Sequence, residues 1–76
     1  MQPYANLSGH AGVVAYELGT DSITVQFSSE EPCHYLYNVE SAGLPTVLEM
    51  QRLAMEGKGL TTFISQHVRE RYAQRW

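Results

Sequence analysis

The sequence predicts an α+β domain, a three-stranded antiparallel β-meander followed by two helices packed on one face. Three observations lead to it. Residues 22–28 alternate strictly, with Ile23, Val25 and Phe27 on one side and Ser22, Thr24, Gln26 and Ser28 on the other. That is the pattern of a strand with one buried and one wet face. Tyr35 and Tyr37 stand two apart in the block Cys33-His34-Tyr35-Leu36-Tyr37-Asn38, so a strand sends both rings to one face. Past Gly43 and Pro45 the apolar spacing changes from two to three and four, which is helical. One apolar sheet face and two apolar helix stripes need cover, and packing them together supplies it.

The elements follow in order. Residues 1–10 are polar and turn-rich and are expected to form a flexible N-terminal arm, with the domain proper spanning 11–74. Gly12 to Leu18 is the first strand, with Val14, Tyr16 and Leu18 alternating against Val13, Ala15 and Glu17. Gly19-Thr20-Asp21 supplies a turn. Ser22 to Ser28 is the second strand, Ser29-Glu30-Glu31-Pro32 breaks it, and Cys33 to Asn38 is the third. Pro45 suits a first helical turn, where its missing N–H costs nothing. Val47, Leu48, Met50, Leu53 and Ala54 carry that helix to about Glu56, with Gly57 as its stop. After Gly59 a second helix carries Leu60, Phe63, Ile64, His67, Val68 and Tyr72 at helical spacing, with Thr61 or Thr62 able to cap it.

With 76 residues the chain makes one domain. A domain this small buries only about 60% of the surface its unfolded chain exposes, so docking on another protein or self-association is a reasonable supplement. The hydrophobic share is 43% and the charged share 17%, which excludes a disordered tail. A single cysteine, Cys33, forms no internal disulfide and points to a reducing compartment. The N-terminus lacks the basic and apolar regions of a signal peptide. No apolar run approaches the ~20 residues of a membrane span. The expectation is a cytoplasmic protein with no membrane partner.

The net charge of −3 is unevenly spread. Residues 1–50 hold six acidic and no basic residues; residues 51–76 hold five basic and two acidic ones. An acidic chain is a poor non-specific binder of nucleic acid, whose affinity comes from neutralised phosphates. The basic C-terminal third leaves a local anionic partner open.

No enzyme signature emerges. Cys33 beside His34 suggests a thiol dyad, but adjacent strand residues face opposite ways, and His10 or His67 would have to come from afar. Cys33 is expected to be a small buried hydrophobe with a slow-reacting thiol. The histidines lack metal-ligand spacing, and no cofactor motif is present. Gly57-Lys58-Gly59 ahead of a helix lacks the spacing of a phosphate-binding loop and reads as a helix–helix turn.

Two features remain as binding candidates. His67, Arg71 and Arg75 are four apart and share one helical row. Either the helix overhangs the core and the arginines reach water, or the row grips an anion together with Lys58. Tyr35 and Tyr37 are either core with hydroxyls at the rim or, if they face water, a stacking surface for single-stranded RNA. The apolar face of the second strand needs cover, which favours core.

The order of strand pair, Tyr35-Leu36-Tyr37, Leu53-Ala54 with Gly57 and Gly59, then Phe63, Val68 and Tyr72, resembles the KTSC domain. This is a small bacterial and phage domain found at the C-terminus of some lysyl-tRNA synthetases and as a stand-alone protein. The resemblance spans about residues 12–73. It implies an α+β fold and brings no catalytic residues; the synthetase context suggests RNA as one partner. The expectation is a non-enzymatic binding or accessory module acting on another protein. The alternative is an RNA-binding module using Tyr35, Tyr37 and the basic C-terminal helix.

Overall fold

The alternating segments form strands as expected, and the sheet then grows by one short strand at each edge. The computed structural model describes residues 1–7, 12–28 and 32–76. His10 and the expected turn residues Ser29, Glu30 and Glu31 lie outside them. The strands are β1 (Gln2–Pro3), β2 (Val13–Leu18), β3 (Ser22–Phe27), β4 (His34–Asn38) and β5 (Gln74–Arg75). They form one antiparallel sheet in the order β1-β2-β3-β4-β5. The meander therefore has five strands, not three. A three-stranded sheet would leave the outer edges of β2 and β4 unpaired. Here Tyr4 N donates to Val14 O (2.9 Å) on one edge, and His34 and Trp76 exchange backbone bonds of 2.8 and 2.9 Å on the other.

The inward face of the sheet carries Val13, Tyr16, Ile23, Val25 and Tyr37, all buried. A register shift between Val13 and Ala15 accommodates one extra residue in β2. It puts Tyr16 inside and leaves Val14 partly exposed.

The helical layer begins earlier than expected. Asn38 accepts from Ser41 N (2.9 Å), and Ser41 Oγ accepts from Asn38 N (3.0 Å). This reciprocal cap starts the short helix α1 (Val39–Ala42). Helix α2 (Leu44–Glu56) carries Pro45 in its first turn and buries Val47, Met50 and Ala54 against the sheet. Gln51 Nε2 donates to Gly19 O (3.0 Å) and Ser22 O (2.8 Å), tying α2 to the β2–β3 turn. On the outer surface Arg52 pairs with Glu49 and Glu56. Its hydrogen bond, more than its charge, holds the Glu49 carboxyl below the usual carboxylate range. Both partners are exposed, so the pairing contributes little to stability.

The expected flexible arm 1–10 is corrected for its described residues. Tyr4 is 6% exposed, and its hydroxyl accepts from Leu60 N (3.2 Å). Neither Thr61 nor Thr62 caps α3 (Leu60–Phe63), whose N-cap is Gly59 with no side-chain bond. The Tyr4 hydroxyl takes that role from a distant part of the chain.

The expected second helix over residues 60–72 is also corrected. After α3 the chain widens into a π-helical turn, Ile64–Val68. Arg69 N donates to Ile64 O, five residues back (2.7 Å), and helical backbone then stops. The turn buries both Ile64 and Val68 before the chain reverses into β5. Pairing with β4 outweighs the helical propensity of residues 69–73.

Gly57 ends α2 in the left-handed conformation (φ 80°) and donates to Leu53 O (3.0 Å). A Cβ there would lie 2.6 Å from Ala5 Cβ. Gly57→Ala is expected to lower stability by about 1–3 kcal/mol, read as a lower denaturant midpoint. Adding Ala5→Gly should restore the steric part. A Gly57→Ala midpoint equal to wild type would show that the N-terminal segment does not pack there.

Candidate functional site

Which face Tyr35 and Tyr37 occupy follows from register. Tyr37 pairs with Ile23 and Tyr35 with Val25, the two buried residues of β3. Both rings therefore face the helices. Tyr37 is 1% exposed, and its hydroxyl donates to Arg69 O (3.2 Å). Tyr35 is half-buried. Its ring meets Phe27 edge-to-face at 5.3 Å and Tyr72 edge-to-face at 5.2 Å. The Arg75 guanidinium lies over the Tyr72 ring, 5.5 Å from its centre, a cation–π arrangement.

These rings form one wall of a cleft of about 280 Å³. The other wall is the π-helical turn, with Ile64 and Ser65, followed by Arg69 and Glu70. A shallower depression formed by residues 66–71 adjoins it and shares Arg69 and Glu70. The C-terminal cations thus gather at the β4–β5 end of the domain, with Glu70 as the one carboxylate among the cleft's described lining residues.

Of the expected binding residues, the structure brings Tyr35, Tyr37 and Arg75 together in the cleft. His67 and Arg71 lie in the adjoining depression. His67 leans on the Phe63 ring at 4.6 Å. The row His67–Arg71–Arg75 does not form, because helical backbone ends at Val68 and Arg75 belongs to β5. Lys58 does not join them. Its neighbour Gly57 accepts from Leu7 N (2.7 Å), which puts the α2–α3 turn beside the N-terminal segment that continues β1. Arg75 lies at the opposite edge of the sheet. The turn is no phosphate loop either: the Leu60 amide that opens the four-residue α3 is already bonded by Tyr4.

Arg69 and Tyr72 are among the cleft residues that sequence reasoning did not single out for binding. On a continuous α-helix Arg69 falls off the basic row. The five-residue spacing of the Ile64–Arg69 hydrogen bond re-aims it, and nothing local in the sequence signals that bond.

Cys33 and His34 lie apart from the cleft. Cys33 is half-buried, not buried as expected, and precedes β4. The opposite-face rule therefore does not apply to it, and its Sγ reaches within 3.3 Å of His34 Nδ1. The same Nδ1 is 3.3 Å from Trp76 O. A carbonyl only accepts, so a bond between Nδ1 and Trp76 O requires the proton on Nδ1. That nitrogen is then no base for the thiol. The His34 ring stacks on Trp76, with centres 5.5 Å apart and planes 8° apart. Gln26 pairs with His34, so this stack sits on the open face of the sheet.

Among the described residues, no three His, Cys, Asp or Glu side chains cluster to hold a metal ion. No helix there is long and apolar enough to cross a membrane. Comparison with protein-family models, curated proteins and solved structures gives no match.

Proposed function

We propose that this chain is a non-enzymatic binding module that docks a segment of another protein in the cleft beside β4 and β5. The observation that carries this reading is the lining. Tyr35, Tyr37 and Tyr72 line it together with Arg69 and Arg75, and the surface it exposes is more polar than apolar. Tyr and Arg are the residue types enriched where proteins anchor one another. The cleft holds neither Cys33 nor a histidine. The resemblance to the KTSC domain stays within this proposal, since it implies an accessory module.

RNA is less well supported. Base stacking needs open ring faces. Tyr35 meets both ring neighbours edge-to-face, and Arg75 covers a face of Tyr72. The few C-terminal cations also release few counterions, and the acidic first fifty residues repel phosphate.

The test is a titration of the isotope-labelled full chain, followed by amide chemical shifts. One arm uses a random peptide pool and the other a single-stranded RNA pool, both at physiological salt. Peptides are expected to shift the amides of Phe27, Tyr35, Ile64 and Tyr72, and RNA to shift none. Micromolar RNA binding that survives physiological salt and is lost in Arg71→Ala would replace the protein-partner reading with the RNA one.

A further inference from the structure

Helix α2 is apolar over more of its circumference than the sheet covers. Apart from Pro45, its apolar positions run from Leu53 round to Leu48, an arc of about 220° at 100° per residue, with Thr46 and Gln51 as the polar members. Glu49, Arg52 and Glu56 share the remainder with Pro45. A surface helix with one apolar neighbour needs a stripe of roughly 100° or a little more. Val47, Met50 and Ala54 supply that stripe and are buried. The excess forms a second stripe beside it, in which Leu44 is 41% exposed, Leu48 49% and Met55 63%. Leu18 extends it. It pairs with Ile23 and so stands on the helix side of the sheet, Gln51 holds the carbonyl of the next residue, Gly19, and Leu18 is itself 37% exposed. The described lining of the cleft includes none of these residues.

Symmetry and charge favour a second copy of this chain as the cover. Turning α2 end for end about the point midway between Glu49 and Met50 sets Leu44 against the second copy's Met55, and Leu48 against its Gln51. The stripe is therefore complementary to itself in an antiparallel pair, which is the isologous arrangement of a two-fold dimer. The flank beside the stripe is suited to the same pairing. Arg52 bonds both Glu49 and Glu56, so two such flanks meet without a row of uncompensated carboxylates. Those bonds use three N–H donors of Arg52 out of the five that a guanidinium carries. In the antiparallel register the second copy's Glu49 stands about 3 Å further along the axis, within reach of the other two. Each copy of so small a domain, which alone buries only about 60% of its unfolded surface, thus covers the apolar stripe of the other.

We propose that α2 is the interface of a weak antiparallel homodimer, in which Leu44, Leu48 and Met55 of each copy cover those of the other. This surface goes beyond the docking cleft and does not depend on it. With 13 residues, α2 is about 20 Å long, so a strip one helix wide falls short of the ~800 Å² per partner of a standard interface. The dimer therefore belongs to the transient class, half-formed at about 100 µM.

Sedimentation equilibrium of the full chain from about 10 µM to about 1 mM brackets that midpoint. The mass should rise from 8.6 kDa toward twice that value. Leu48→Glu should weaken association at least about tenfold and leave the melting temperature of the dilute protein unchanged. Leu44→Glu and Met55→Lys make the same test at the two ends of the helix, where both side chains are exposed. Each alone should weaken association. An equimolar mixture of the two should restore it, because the antiparallel register sets the substituted positions against each other with opposite charge. If Leu48→Glu melts below wild type, this end pair decides the question. A wild-type chain that stays at 8.6 kDa up to the highest concentration would overturn the homodimer and leave the stripe to a different protein. Association that the folded variants leave unchanged would place the interface elsewhere and overturn it too. Weakening by both end variants without restoration in the mixture would overturn the antiparallel pairing.

Discussion

Tyr37→Ala is expected to leave the protein largely unfolded at 25 °C. The ring is 1% exposed and lies where β4 meets the helical layer, opposite Ile23. Removing a buried aromatic ring costs about 3–5 kcal/mol through lost transfer energy and the cavity left behind. A single core of this size supplies about 3–5 kcal/mol in total, so the substitution consumes most or all of it. Tyr37→Phe separates ring from hydroxyl. It removes the bond to Arg69 O, and a loss of about 0.5–1.5 kcal/mol is expected. Circular dichroism and thermal melts of both variants give the comparison. A Tyr37→Ala protein that melts cooperatively near the wild-type temperature would put the ring on the solvent face and reopen the stacking reading.

The central sheet and α2 were legible because each announces itself locally. The alternation of residues 22–28 needs no partner to be recognised, and Gly57 fits the left-handed stop that α2 uses. The two edge strands were not legible for the complementary reason. Gln2–Pro3 and Gln74–Arg75 are too short for a period of their own, and they are strands only because β2 and β4 offer open edges. Proline at such an edge lacks an N–H that a central strand would need. By contrast, α1 carried a readable signal in Asn38 and Ser41, three apart, which is the spacing of a reciprocal cap.

The cleft divides in the same way. The inward orientation of Tyr35 and Tyr37 follows from the apolar face of β3, which needs cover. The position of Arg75 does not follow from local sequence. The helical period from Leu60 to Val68 extrapolates smoothly through Arg71 and Arg75, and the π-helical turn breaks it at a point with no glycine or proline. A hydrogen bond to a carbonyl five residues back, together with burial of Ile64 and Val68, outweighs local propensity there. Cys33 differs in degree. The face rule for strands failed because the residue lies just ahead of β4.

Tyr4→Ala separates the structure from the expectation of a loose N-terminal arm. If residues 1–5 were loosely held, truncating one side chain there would change stability by no more than the ±0.5 kcal/mol usual for surface sites. The packing of Tyr4 gives a different result. Its ring is 6% exposed and belongs to the core with Leu60 and Val13, and its hydroxyl satisfies the Leu60 amide at the start of α3. Truncation leaves a cavity between the N-terminal segment and α3, and a buried N–H without its acceptor. The expected loss is about 3–5 kcal/mol from the ring, deepened by the orphaned amide. Tyr4→Phe keeps the ring and loses the acceptor. Its expected loss of about 1 kcal/mol corresponds to a fall of roughly 4–8 °C in Tm for a domain of this length. Because the β1 ladder is only two residues long, the buried Tyr4 ring is a main anchor of the N-terminal segment. Hydrogen exchange at the Val13 and Leu60 amides should therefore accelerate in both variants, more in Tyr4→Ala. A Tyr4→Ala chain with wild-type Tm and unchanged exchange at Leu60 would return residues 1–7 to a loose arm and reduce the sheet to four strands.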